Sequence, residues 1–189
     1  MRSFKLFGAL LAVVALGAIG VGNASAASFT ATESAELEGT ATATQVFTTE
    51  AGTVECTGLS ATGNAVAGAQ TEQEATVHYS GCQAFFSNVH ISPATYDFTS
   101  NGEVHLTNTI TITVTNVFGE CTVTVTPQTI GTVTYSSTGT GGINLTPHVK
   151  NIAYHESGGF PCKTGTFTNG TYTGDSHVFP KKGALSFDP

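Results

Sequence analysis

The stretch Thr107–Thr126, TNTITITVTNVFGECTVTVT, decides the fold of this chain. Threonine alternates with isoleucine or valine over Ile110–Val114, and again over Thr122–Thr126 after a short turn at Phe118-Gly119. A period of two places alternate side chains on opposite faces of a β-strand. The stretch therefore predicts a β-hairpin whose isoleucines and valines build a core, while its threonines face water or a partner.

Strand-like segments continue along the rest of the chain, bounded by Gly, Asn, Ser and Pro at intervals of eight to twelve residues. Two dipeptides, Asn101-Gly102 and Asn169-Gly170, predict two-residue hairpin turns, because both residue types tolerate positive φ. No segment beyond residue 26 has a convincing apolar period of 3.6 residues. The predicted strands are Ser28–Glu36, Ala41–Thr49, Thr53–Thr57, Leu59–Val66, Ala75–Tyr79, Asn88–Ile91, Thr95–Thr99, Glu103–Thr107, Thr109–Asn116, Cys121–Thr126, Thr132–Ser136, Ile143–Tyr154, Thr164–Thr168 and Thr171–Val178.

This pattern of short strands predicts one all-β domain over residues 27–189. Regular strands with turn signals are typical of sandwiches and barrels. We expect an antiparallel β-sandwich or jelly-roll-like double sheet, with a β-barrel as the alternative.

The first 26 residues carry the pattern of a secretory signal peptide. Arg2 and Lys5 precede an apolar stretch from Leu6 to about Val21, and Ala24-Ser25-Ala26 offers a cleavage site of small residues. We predict cleavage after Ala26, no membrane attachment after cleavage, and a secreted, extracellular protein.

The charge of the exported chain argues against nucleic acid as a partner. The whole chain has 13 acidic residues and six Lys or Arg. Two of the six lie in the signal peptide, so four basic residues against 13 acidic ones leave a net charge of −9 on residues 27–189. Negative charge repels phosphate backbones. Only 10% of the residues are charged and 40% are hydrophobic, which indicates a folded rather than a disordered chain.

Four cysteines, Cys56, Cys82, Cys121 and Cys162, predict two disulfides in an exported chain. They allow three pairings, between which the sequence does not choose. We favour Cys56–Cys82 with Cys121–Cys162, which would contribute roughly 3.5 and 3.9 kcal/mol in the chain-entropy model. A zinc site is disfavoured, because no C-x-x-C spacing occurs.

No residue pattern predicts a catalytic, cofactor or metal site. The six histidines show no H-x-H or H-E-x-x-H spacing, and we expect them on separate strands: His78, His90, His105, His148, His155 and His177. His155-Glu156-Ser157 looks like part of a hydrolase site. Adjacent residues on a strand point to opposite faces, so we expect no pairing of His155 with Glu156.

Several segments with cysteines and turns resemble a set of uncharacterised secreted Thr/Gly-rich β proteins of soil actinobacteria. The residues that carry this resemblance are Gly52–Thr57, Tyr79–Phe85, Glu120–Val125, Pro161-Cys162 and Gly170–Gly174. The set often has two further cysteines that this chain lacks, and loss of both together fits loss of one bridge. The resemblance implies no activity. In composition alone, the chain is also similar to neocarzinostatin-like apoproteins, which are secreted β-sandwiches that carry a chromophore.

Three functional hypotheses follow from the sequence. The first is a non-enzymatic extracellular or cell-wall-associated structural or interaction protein with an unknown extracellular partner and no cofactor. The second is a small-molecule carrier with a cleft between its sheets, which an apolar cavity would favour. The third is a hydrolase whose site assembles only in the fold.

Overall fold

The computed structural model describes residues 26–84, 87–117 and 119–189, so nearly all of the predicted signal peptide at 1–26 lies outside the described residues. The described residues form sixteen β-strands and no helix, which confirms the all-β prediction. The strands are β1 (Ser28–Ala31), β2 (Ala35–Ala41), β3 (Gln45–Thr49), β4 (Gly52–Ala65), β5 (Gly68–Gln70), β6 (Glu72–Ala84), β7 (Ser87–Ile91), β8 (Ala94–Thr99), β9 (Glu103–Leu106), β10 (Ile110–Asn116), β11 (Gly119–Val125), β12 (Gln128–Ser137), β13 (Ile143–Gly158), β14 (Gly165–Thr173), β15 (Ser176–Pro180) and β16 (Leu185–Asp188).

Thirteen of the described strands form eight long barrel strands. β4, β6 and β13 are continuous, whereas β2–β3, β7–β8, β9–β10, β11–β12 and β14–β15 are each a long strand broken in the middle. Each barrel strand pairs antiparallel with the next one along the chain. The last, β14–β15, pairs with the first, β2–β3. The antiparallel strands therefore close into an up-and-down barrel, the alternative that the sequence left open, and closure removes the free edges.

β10 and β11 form the hairpin that the alternating stretch predicts. They pair along their whole length, from Ile110 opposite Val125 to Asn116 opposite Gly119. The isoleucines and valine of β10 are 3 to 5% exposed, and the threonines between them face outward. The division into an apolar inner face and a hydroxyl outer face is confirmed.

One of the two predicted Asn-Gly turns is present. Asn101-Gly102 lies in the connection between β8 and β9, and Gly102 has a φ of 92°. The connection has three residues, 100–102, and Asn101 is not among the residues with positive φ, so the two-residue form predicted for this turn is wrong. The turn predicted at Asn169-Gly170 is wrong, because β14 continues through it. Gly170 lies opposite Ile152, and a Cβ at Gly170 would be only 3.0 Å from the Cβ of Ile152. The glycine therefore permits a close approach of two strands, not a reversal of the chain.

β1, β5 and β16 form a separate sheet across one end of the barrel, which we name the cap. β1 lies in the middle of the cap and pairs with both neighbours. Phe29 of β1 and Leu185 of β16 are 4% and 3% exposed and border the barrel interior. Phe29 packs edge-on against Tyr135, with ring centroids 4.9 Å apart. The cap thus continues the apolar core.

Amide side chains bridge two of the breaks in the barrel strands. Where β11 passes into β12, Gln128 accepts a hydrogen bond from the N–H of Ala153 at 2.9 Å and donates one to its carbonyl at 2.7 Å. Asn108, between β9 and β10, accepts from the N–H of Thr95 and donates to the carbonyl of Pro93. Each amide supplies the two hydrogen bonds that a regular strand would make.

Replacing Gln128 with Ala should lower the free energy of unfolding by about 1–3 kcal/mol, because Ala153 loses both partners. Urea denaturation measures this difference. Gln83→Ala, at an exposed position of β6, is the matched control and should change stability little. Equal stabilities of the two variants would contradict the bridging role of Gln128.

Candidate ligand-binding cavity

The barrel encloses an apolar cavity of about 130 Å³. Inward-facing side chains of all eight barrel strands in the described structure border the cavity, with the cap at one end. Ala61 on β4 and Ala75 on β6 face the interior at diagonal positions, because Ala61 lies opposite Val77 and Ala75 opposite Gly63, and their side chains are short. The interior of an eight-stranded barrel is just wide enough for side chains or for one small ligand. Short side chains at these two positions therefore leave room for a ligand. The larger apolar residues of the lining include Leu37, Leu59, Val77, Leu106, Val133, Leu145 and Val178.

An aromatic cluster lies deep in the barrel, where β3, β6 and β14 contribute Phe47, Tyr79 and Tyr172. The ring centroid of Phe47 is 4.9 Å from that of Tyr79 and 4.9 Å from that of Tyr172. Tyr79 is surrounded by other side chains but keeps accessible surface, because it borders the cavity. The cluster thus gives the cavity both aromatic faces and hydroxyl groups.

Gln45 is fully buried and contacts this cluster through a hydrogen bond with Tyr172. Its Nε2 donates to the carbonyls of Ala43 at 2.6 Å and Asp175 at 3.1 Å. Since the nitrogen faces two carbonyls, the oxygen Oε1 faces Tyr172, whose hydroxyl donates to it. The orientation of the amide therefore fixes the direction in which Tyr172 donates.

The hydroxyls of Tyr79 and Tyr96 extend this hydrogen bonding across the interior. They lie 3.2 Å apart, and Tyr79 also interacts with the hydroxyl of Tyr172. Tyr172 donates its proton to Gln45, and either Tyr79 or Tyr96 donates to the other. At least two of the three hydroxyl protons therefore have an acceptor within the protein, as is usual for buried polar groups.

Burial keeps the tyrosines of this protein neutral. It raises the pKa of Tyr96 to about 12 and that of Tyr79 well above its ordinary value. Burial also raises the pKa values of Tyr135, Tyr154 and Tyr172. The chain has five tyrosines, so every one of them resists ionisation.

Gln73 is a further polar residue on the cavity wall, facing inward on β6 beneath the cap. Its Nε2 donates to the carbonyl of Glu72 at 2.9 Å, so Oε1 is its free acceptor. This oxygen is buried, and no described residue donates a hydrogen bond to it. A buried acceptor without a donor costs about 1–3 kcal/mol.

Disulfides and a buried carboxylate close the end of the barrel opposite the cap. The bridges join Cys56 to Cys82 and Cys121 to Cys162, the pairs that the sequence analysis favours. Cys56 and Cys82 lie directly opposite each other on β4 and β6. Cys121 tethers β11 to the connection between β13 and β14.

Glu156 is the buried carboxylate at this end. It is 0% exposed and accepts hydrogen bonds from the N–H groups of Ala51 at 2.8 Å and Lys163 at 2.9 Å. His155 is exposed, and its Nδ1 lies 3.2 Å from the hydroxyl of Thr166. The prediction that His155 and Glu156 point to opposite faces is confirmed, and Glu156 joins two loops.

The histidines lie apart from the cavity. His78, His90, His148 and His155 are exposed, and His105 and His177 are half-buried. Within the described part of the chain, no group of three or more His, Cys, Asp or Glu side chains could share a metal ion.

The sequence analysis did not single out Gln45, Gln73, Tyr79, Tyr96 or Tyr172. A signal for part of this set is present in β6, where Gln73, Ala75, Val77 and Tyr79 alternate with exposed or half-exposed residues. That alternation gives the inward face of one strand. It does not show that Gln45, Tyr79, Tyr96 and Tyr172 come together from β3, β6, β8 and β14, or that Gln73 borders the same cavity.

No protein-family model, curated protein or solved structure matches this chain. None of the described residues belongs to a helix that is long and apolar enough to cross a membrane.

The raised pKa values of the tyrosines predict how the stability of the fold changes at alkaline pH. An unfolded tyrosine ionises near pH 10, whereas burial raises the pKa of these five side chains. Folding thus favours the protonated form. The stabilisation is complete below about pH 10 and is lost as the pH rises through the raised folded-state pKa values, that of Tyr96 being about 12. Tyrosinate absorbance should appear together with loss of the β circular dichroism signal. Ionisation near pH 10 in the folded protein would contradict this prediction.

Replacing Glu156 with Gln should lower the free energy of unfolding by about 1–3 kcal/mol, because an amide offers one acceptor oxygen to two N–H groups. The exposed Glu120→Gln is the matched control and should be close to neutral. Urea denaturation of both variants tests the tethering role, which equal stabilities would refute.

Proposed function

We propose that the exported chain is a non-enzymatic extracellular binding protein that carries one small apolar molecule inside its barrel. The apolar cavity of about 130 Å³ supports this role above the other two hypotheses. A cavity of comparable size lined by Leu, Ile and Phe stays free of water and binds benzene. The interior therefore has the size and chemistry for a ligand with roughly the volume of one aromatic ring.

The lining favours a neutral ligand. Apart from the tyrosines, Glu74 is the ionisable residue among those that border the cavity, and its side chain is exposed on the outer face of β6. A buried charge without a partner is strongly unfavourable. A carboxylate or ammonium ligand would find no counter-ion inside.

Export fits this role. The signal-peptide pattern directs the chain out of the cell, and the two disulfides are of the kind that persists in an oxidising environment. Closure of the barrel and the disulfides would keep the cavity intact outside the cell.

Thermal unfolding with benzene and toluene tests the proposal. A ligand that binds only the folded state raises the melting temperature as its concentration exceeds its Kd, with about 2.7 kcal/mol gained at one hundred times Kd. Ala75→Leu places a larger side chain in the cavity and should abolish this rise. Ala67→Leu, at an exposed position, should retain it.

A second measurement covers the case in which Ala75→Leu does not fold. In the unaltered protein, toluene protons should show nuclear Overhauser contacts to the methyl groups of Val77 and Leu106, which border the cavity. Absence of both a melting shift and these contacts would refute the carrier function.

A further inference from the structure

We infer, on the basis of the proposed function, that the ligand is a neutral molecule of about the size of benzene with one hydrogen-bond donor, and that Oε1 of Gln73 accepts that donor. The inference goes beyond an apolar carrier because it specifies the polarity of the ligand. Two independent features of the cavity support it.

The first feature is that the tyrosine hydroxyls have more acceptor lone pairs than protons to offer a ligand. Tyr172 donates to Gln45, and of Tyr79 and Tyr96, whose hydroxyls lie 3.2 Å apart, one donates to the other. Each hydroxyl carries one proton and two acceptor lone pairs. Two of the three protons are therefore used within the protein, and most of the lone pairs remain.

The second feature is the unpaired acceptor of Gln73. Its Nε2 is held by the carbonyl of Glu72, which directs Oε1 away from that bond. Oε1 is buried, and no described residue donates to it, although Gln73 borders the cavity. Buried acceptors in native proteins are almost always paired, so an unpaired one requires an explanation. A donor on the ligand would satisfy it.

Both features favour a ligand with a hydrogen-bond donor over a ligand that has hydrogen-bond acceptors alone. A hydroxyl or N–H group on a small ring would find an acceptor in Gln73. An ether or nitrile would place its lone pairs against other lone pairs and lose its hydrogen bonds to water. A site built to hydrogen-bond a ligand group discriminates strongly against analogues that lack it.

The experiment compares phenol, toluene and anisole, which share one ring and differ in donor and acceptor groups. Calorimetric titration of the exported chain, residues 27–189, gives the Kd of each. We expect phenol to bind at least about tenfold more tightly than toluene, and anisole to bind more weakly than toluene.

Gln73→Met removes the acceptor while keeping an unbranched side chain of similar length. It should remove the advantage of phenol and leave the Kd of toluene within about twofold. Gln83→Met, the same replacement at an exposed position, should leave all three Kd values unchanged. Should Gln73→Met not fold, the side-chain amide resonances of Gln73 in the unaltered protein should shift with phenol and not with toluene.

The outcomes separate this inference from the proposed function. If toluene binds as tightly as phenol, the cavity is a carrier site and the donor requirement is wrong. A preference for phenol that persists in Gln73→Met, or without a shift of the Gln73 amide, overturns the assignment to Gln73. If none of the three compounds binds, the proposed function fails together with the inference.

Discussion

Closure of the barrel is the constraint on which the rest of this structure depends. A closed ring leaves no free edge, so every backbone N–H and C=O in the wall must find a partner within it. Five of the eight barrel strands among the described residues are broken near the middle, and a break removes hydrogen bonds that a regular strand would make. Asn108, Gln128 and Gln45 lie at or beside such breaks, and their amides bond to the backbone of neighbouring barrel strands. An amide suits this task because it offers a donor and an acceptor as a peptide group does.

The alternation of apolar and hydroxyl residues predicts the strands but not the way they close. It placed the β10–β11 hairpin correctly, since both strands are local and their inner face is built from β-branched residues. It divided β4 into two strands at Gly58, a boundary residue, and the inward positions do change there from Val54 and Cys56 to Leu59 and Ala61. The phase change is real, but β4 stays paired with β6 through it. Closure depends on the pairing of β14–β15 with β2–β3, whose residues are more than a hundred positions apart.

The candidate site was harder to predict than the fold, because a cavity forms where the side chains that line it do not fill the space. The sequence shows that Ala61 and Ala75 are on inward faces, but not that they are neighbours. Tyr79, Tyr96 and Tyr172 are spread over ninety residues and meet only when the ring is closed. The cysteines could be predicted more fully, because an even number in an exported chain implies pairing. Their common location at one end of the barrel, opposite the cap, still required the strand order.

Gln45 links closure of the wall to the chemistry of the interior. Its nitrogen bonds the carbonyl of Asp175 at the break between β14 and β15, so its oxygen must point inward to Tyr172. Gly174 leaves room for this amide, since a Cβ there would be 2.6 Å from Oε1. Once the amide is fixed, the proton of Tyr172 is directed toward it and away from the cavity. The hydrogen bonds of Gln45 thus join two barrel strands at a break and also affect the polarity of the interior. A change at Gln45 would then alter both the stability of the wall and the polarity of the interior, whereas an apolar residue at Gln73 would remove the unpaired acceptor and the preference for a donor together.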